Sequence, residues 1–196
     1  MNFSYDFSGR TALVTGGVSG IGAAVSAAFL KAGARVIACG LTEAELAAAR
    51  TDAALAGADV RALDVTDNAA VVALVGSLPA LDFVVNCAGV IRRDAEHDPA
   101  VFDQVLDVNV SGGMRVSTAA RPLLARSGGA IVFIGSVMSF FGGPPSAGLL
   151  GLQGRGAQPD HVAGERLCRR RHPGQRGRAR LGDHPAVARR PRRPGA

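Results

Sequence analysis

The sequence predicts an α/β protein, a doubly wound parallel sheet with helices on both faces. Three observations predict it. Short apolar runs recur between residues 11 and 134, bounded by glycine or polar turn residues. Longer segments with apolar residues at helical spacing separate them. A glycine string occupies the first strand–helix junction. Strands that alternate with helices of this length pair in parallel through right-handed crossovers.

Each element has its own signal. Residues 11–15, Thr-Ala-Leu-Val-Thr, are an apolar run ending in glycines and predict a buried strand. Residues 20–32 are Ala-rich at helical spacing, and Gly33 closes that helix. Residues 35–39 predict a second strand. Thr42 caps the next helix, which extends to about residue 56, with Glu45 as its capping-box partner. Residues 59–63 predict a third strand and residues 67–77 a third helix. A fourth strand is expected over 81–85. A long helix is expected over 99–125, interrupted near Gly112 and Gly113, and a fifth strand over 130–134.

The string Thr15-Gly16-Gly17-Val18-Ser19-Gly20-Ile21-Gly22 carries the chemistry. Glycine at such a junction permits a tight turn, close approach of a pyrophosphate and close helix–strand packing. The helix start offers unpaired N–H groups and the positive end of the dipole to phosphate. A strand before the string and a helix after it point to dinucleotide binding on a Rossmann-type sheet.

Composition sets the limits. The chain has 196 residues, 47% of them hydrophobic, enough for one domain with a core. The apolar runs fall short of a bilayer span, and no signal segment opens the chain; a soluble cytoplasmic protein with no membrane partner is expected. Cys39, Cys87 and Cys168 form neither a disulfide framework nor a zinc spacing. His161, His172 and His184 add no zinc pattern, so no metal is expected.

The net charge of +6 and the pI near 10.5 invite a nucleic-acid reading. The charge is uneven, however. Residues 1–148 set ten cations against thirteen carboxylates, a net −3. Residues 149–196 set twelve arginines against three carboxylates, a net +9. That tail has five Pro, eight Gly and no aromatic residue, so it predicts disorder. With no aromatics to stack bases, no specific nucleic-acid partner is expected.

Spacing of the form Gly-x-x-x-Gly-x-Gly, with Gly16, Ser19, Gly20, Ile21 and Gly22, resembles the short-chain dehydrogenase/reductase family. Further matches follow in chain order. Asp64-Val65 resembles the family's adenine-contacting pair. Asn86-Cys87-Ala88-Gly89 resembles its Asn-Asn-Ala-Gly turn, with Cys87 in place of one Asn. Asn109 matches the helix asparagine that supports a proton relay. Residues 131–136 resemble the strand ending in the catalytic serine, here Ser136, with Phe133 in place of the usual Asn. The resemblance covers residues 8–148. It implies hydride transfer between nicotinamide and a carbinol or carbonyl carbon, a small-molecule alcohol or ketone as substrate, and a homo-oligomer in intact relatives. It also implies cofactor contacts from Gly16, Ser19, Gly20, Ile21, Gly22, Asp64, Val65, Asn86, Ala88 and Gly89, and catalytic roles for Ser136 and Asn109.

One departure is decisive. The family uses a tyrosine as acid/base and a lysine four residues later. A phenol near pKa 10 needs a neighbouring cation to act near neutral pH. This chain holds one tyrosine, Tyr5, and one lysine, Lys31. The family spacing from Ser136 points to Leu149 and Gln153, where the composition also changes. Reading the messenger one base forward from inside the Leu149 codon recovers Tyr-Ser-Ala-Ser-Lys with permitted codons. The same shift over residues 172–182 reads Ile-Arg-Val-Asn-Ala-Val-Ala-Pro-Gly-Trp, which resembles the family's sixth strand and the loop after it. Residues 149–196 are therefore expected to be out of frame, and the C-terminal part of the sheet incomplete.

Two function classes stand: an NAD(P)-dependent oxidoreductase by descent, and a non-catalytic nucleotide-binding or truncated product. The cofactor stays open between NAD and NADP. Gly40 and Leu41 supply neither the carboxylate nor the arginine that would decide. The substrate also stays open. Arg92-Arg93 resembles the family's sugar-acid dehydrogenases, and Arg pairs well with carboxylate; acyl-carrier-protein-type ketone reduction is the other option. A flank exposed around the fifth strand is expected to make the domain poorly soluble or loosely folded.

Overall fold

The computed structural model describes residues 5–136. The tail at 149–196, the expected dyad positions and the frame boundary lie outside the described residues.

Within them, five strands form one parallel sheet: β1 (Thr11–Thr15), β2 (Arg35–Gly40), β3 (Asp59–Ala62), β4 (Phe83–Asn86) and β5 (Ala130–Phe133). Their order is β3-β2-β1-β4-β5. The crossover helices are α1 (Gly20–Lys31), α2 (Glu43–Thr51), α3 (Asn68–Gly76), α4 (Pro99–Leu106) and α5 (Gly113–Ser127). The chain moves outward from β1 to β3, then returns to place β4 on the other side of β1. The resulting switch point lies at the carboxyl ends of β1 and β4, where open α/β sheets bind ligands.

Strand alternation builds two cores. Leu13, Ile37, Cys39 and Val84 face one side, against Val71 and Val75 of α3 and Val116, Ala120 and Leu124 of α5. Val14, Val36, Ala38 and Val85 face the other, against Leu46 and Ala49 of α2 and the apolar stripe of α1. Because both faces are covered, the inner strands read as continuous apolar runs rather than as alternating ones.

Several boundaries differ from the sequence expectation. The second helix ends at Thr51 instead of near residue 56. The Thr51 hydroxyl donates to the Ala47 and Ala48 carbonyls, and Asp52 turns extended to cap a short 3-10 turn over Ala53–Leu55. The fourth strand begins at Phe83, two residues late, because Asp82 is occupied at the strand entrance. Its carboxylate accepts from Arg10 at 2.7 Å and from the Thr11 N–H at 2.9 Å. The long helix is not broken by Gly112 and Gly113. Instead it widens into a π segment, Asp107–Gly112, between α4 and α5. Those glycines mark close packing: a Cβ would lie 2.6 Å from Val65 Cγ2 at Gly112 and 2.5 Å from the Phe133 ring at Gly113.

Candidate functional site

A cleft of about 320 Å³ opens at the carboxyl edge of the sheet, bounded by the turns after β1, β2, β3 and β4. Its floor is the glycine turn. Gly16 has φ +61°, and an added Cβ would stand 2.9 Å from the Ala88 Cα and N. The turns after β1 and β4 therefore touch backbone to backbone, which only glycine allows. At Gly22 an added Cβ would collide with the Gly16 carbonyl, so α1 starts directly against the turn. Gly17 N–H donates to Cys39 O at 2.8 Å, and the buried Ser26 hydroxyl donates to Gly17 O at 2.9 Å. Ser19 is the N-cap of α1, but its side chain makes no capping bond, and no acidic residue sits in the first turn. The helix start thus keeps its N–H groups and positive dipole end for an anion.

The turn after β4 forms the opposite wall. Thr15 Oγ1 accepts from the Ala88 N–H at 3.3 Å. Cys87 lines the cleft half-buried, and desolvation pushes its thiol up to about 11, so it is neutral at physiological pH. Asn109, in the π segment, clamps the next residue: Val90 N–H donates to its Oδ1 at 2.7 Å, and its Nδ2 donates to Val90 O at 2.8 Å. π turns inside helices are frequent at functional sites, and this one aims Asn109 at the loop that shapes the cleft.

Of the residues expected from sequence, Gly16, Ser19, Ile21, Gly22, Asp64, Val65, Ala88 and Gly89 come together around the cleft. Asp64 holds its own turn, its Oδ1 accepting from the Thr66 N–H and hydroxyl. Val65 is buried beneath it. Gly20, Asn86, Asn109 and Ser136 lie outside the lining. Asn86 turns inward, and its Nδ2 donates to Ser117 Oγ at 3.3 Å. Ser136 lies past the carboxyl end of β5, where Ile134 N–H donates to Asn86 O at 3.1 Å. It therefore stands on the cleft's edge of the sheet.

Sequence reasoning missed Glu45, Leu63 and Val108, which also line the cleft. Glu45 was legible only as a cap. The signal was its place one turn into a helix that follows a parallel strand, which puts a residue at the carboxyl edge.

Tyr5 and Lys31 occupy the other end. Tyr5 stacks on Phe7, which packs against Phe83 at the start of β4. Lys31 ends α1, the helix whose start faces the cleft; its twelve residues span about 18 Å.

The switch-point cleft, the glycine turn and the uncapped helix start define a doubly wound α/β protein of the Rossmann type. The particular family follows from the comparisons. The family model for short chain dehydrogenase matches residues 10–147, and the chain belongs to that family.

Among its relatives, galactitol 2-dehydrogenase (L-tagatose-forming) of Cereibacter sphaeroides is 42% identical over 138 residues, covering 66% of this chain and 53% of that one. D-threitol dehydrogenase of Mycolicibacterium smegmatis is 35% identical, covering 69% and 56%. A solved short-chain dehydrogenase/reductase from Mycobacterium ulcerans superposes with TM-score 0.75 at 28% identity, covering 84% of this chain and 64% of that one. The chain spans little more than half the length of these curated relatives.

Proposed function

We propose that residues 1–148 are the cofactor-binding core of an NAD(P)-dependent oxidoreductase that moves hydride between nicotinamide and an alcohol or ketone carbon. The observation that carries this reading is the Gly16 turn, packed on Ala88 and opening onto the uncapped start of α1. The cradle fits a dinucleotide: backbone replaces side chains where a pyrophosphate must approach, and Asp64 and Val65 line the cleft where an adenine ring would lie. NAD(H) or NADP(H) bound there would give up or take up the hydride at nicotinamide C4, the reduced form to a ketone and the oxidised form from an alcohol.

The chain's own residues do the rest. Gly16, Ser19, Gly20, Ile21 and Gly22 receive the phosphates at the helix start, and Asp64 and Val65 flank the base. Asn86, Ala88 and Gly89 form the turn on the nicotinamide side, which Asn109 braces through Val90. The Ser136 hydroxyl, at the cleft's edge of the sheet, donates to the substrate oxygen. The exposed Arg92 and Arg93 follow the same turn and suit an acidic substrate; the polyol names of two relatives favour a hydroxylated one.

The tyrosine–lysine pair that carries the substrate proton in the family has no counterpart in this sequence. The only phenol and the only ammonium, Tyr5 and Lys31, belong to the opposite edge of the sheet. We therefore read the 196-residue chain as inactive, with residues 149–196 out of frame. Titration of the chain with NADH, followed by calorimetry, is expected to give saturable binding. Turnover of a secondary alcohol is expected only after the frame is restored, with a gain of about 10²–10⁴-fold from the proton carrier alone. Absence of NADH binding overturns the site. Equal turnover by both forms overturns the lost dyad. A gene sequence across the Ser146–Gln153 codons that needs no extra or missing base relative to intact relatives overturns the frame.

A further inference from the structure

The two ends of the cleft are tied together behind its lining. At one end, Val65 is buried beneath the Asp64 turn. At the other, Asn109 clamps both backbone groups of Val90. Asn109 belongs to the π segment Asp107–Gly112, and that segment reaches back to Val65. Its last residue leaves room for the valine: an added Cβ at Gly112 would stand 2.6 Å from Val65 Cγ2.

Arg115, one turn further on, makes a second tie. Its Nη1 donates to Val65 O and to Asp107 O, each at 3.4 Å, and its Nη2 donates to Asp107 Oδ1 at 2.6 Å. One side chain thus grips both the loop after β3 and the start of the π segment. A guanidinium carries its donors in a rigid plane, so holding two groups at once fixes their separation; an ammonium on a flexible stem does not. Core packing does not account for Arg115. Helix α5 buries Val116, Ala120 and Leu124, and Arg115 lies off that face. Nor does it line the cleft, so its effect on a ligand passes through Val65 and the π segment.

We propose that Arg115 is a positioning residue that couples the two ends of the cleft: a base bound at Asp64–Val65 steadies the π segment, and Asn109 passes that order to the Val90 turn. The proposal rests on the reading of the cleft as a dinucleotide site. The adenine half then meets the ordering cost that the nicotinamide half would otherwise meet, and the coupling is reciprocal.

The test is hydrogen exchange of the full chain, followed by NMR at the Val90 amide, with and without saturating adenosine. Adenosine has neither phosphate nor nicotinamide, so it fills the Val65 end alone. The Val90 N–H is the donor of the clamp, and its exchange reports on the clamp directly. Adenosine is expected to slow that exchange about fivefold, the lower end of ordinary couplings between sites. In Arg115→Met the ratio of free to bound rates should fall toward one while adenosine still binds by calorimetry. A merely structural Arg115 predicts otherwise: faster exchange in Arg115→Met with the fivefold ratio kept, and that result overturns the proposal. So does a Val90 rate that adenosine leaves unchanged in the unaltered chain. Should Arg115→Met not fold, Arg115→Lys decides, since it keeps the charge opposite Asp107 but not the planar grip: a ratio below about twofold supports the coupling, and a ratio still near fivefold overturns it. If neither adenosine nor NADH binds the unaltered chain, the site reading falls as well; if both bind and Val90 does not respond, only the coupling falls.

Discussion

Strands β2 and β5 are similar in sequence character and opposite in circumstance. β2 lies between β1 and β3 with helices on both faces, and only Arg35 of its six residues is exposed. β5 pairs with β4 alone among the described strands; Ala130 and Val132 are exposed, and Ile134 just beyond is 42% exposed. The strand that supports the phosphate cradle is therefore locked from every side. Among the described residues, the strand that leads to Ser136 is held by one ladder and one partial face. On the proposed reading, the cofactor cleft is built into the best-packed part of the described fold, and Ser136 follows its least-covered described strand.

The largest expected break in that contrast is at the centre. Leu13 of β1 is fully buried in the core that also holds Ile37, Val84 and Leu124. Leu13→Ala leaves a cavity among these side chains. It should cost about 2–5 kcal/mol in urea unfolding and weaken NADH binding with it. A loss below about 1 kcal/mol would mean that the two regions are equally loose.

Next comes the brace between them. Asn109 makes two hydrogen bonds to Val90, on the loop linking β4 to the helices below β5. Asn109→Leu leaves a backbone N–H and a carbonyl unpaired in a part-buried place, at a cost of about 1–3 kcal/mol. Faster amide exchange should follow at Val90 and its neighbours. If exchange there is unchanged, the clamp does not hold the loop.

Burial of β2 also has a pH consequence. Desolvation pushes the Cys39 thiol up to about 12 from its ordinary value of 9.0. Above pH 9 the unfolded thiol ionises while the folded one stays neutral. The stability from neutral Cys39 is thus complete below pH 9 and is lost as pH rises toward 12. At pH 10 the unaltered chain should have lost about 1 kcal/mol more than Cys39→Ala, relative to each at pH 8. Parallel alkaline profiles for the two would show that β2 is not sealed.

Much of this was legible beforehand. The order of elements followed from apolar runs such as 11–15 and 35–39, and the cradle from the glycines at 16, 20 and 22. Other features depended on contacts distant in sequence. Gly112 and Gly113 look like helix breaks, yet they admit Val65 and Phe133, which lie 47 and 20 residues away along the chain. Asn86 sits in a motif that points to the cofactor, but its side chain finds Ser117 instead. Glu45 satisfies a local capping rule so fully that nothing in the local pattern marks its second position, at the cleft. Local chemistry predicts local structure; which surface a side chain then faces is decided by the sheet.

The smallest effect sharpens the contrast most. Val132 is 49% exposed on β5, whereas Val36 at the centre of the sheet is fully buried. Threonine is nearly the same shape as valine and equally suited to a strand, so the two sites differ only in what surrounds the added hydroxyl. At Val36 that hydroxyl enters an apolar core and should cost about 1–3 kcal/mol. At Val132 it meets water, so Val132→Thr should change urea stability by less than about 0.5 kcal/mol. It should also raise the concentration at which the chain stays dispersed, because an exposed apolar edge strand is a site for aggregation. A cost at Val132 matching that at Val36 would mean that β5 is covered in solution, and the distinction between a sealed β2 and an open β5 would fall.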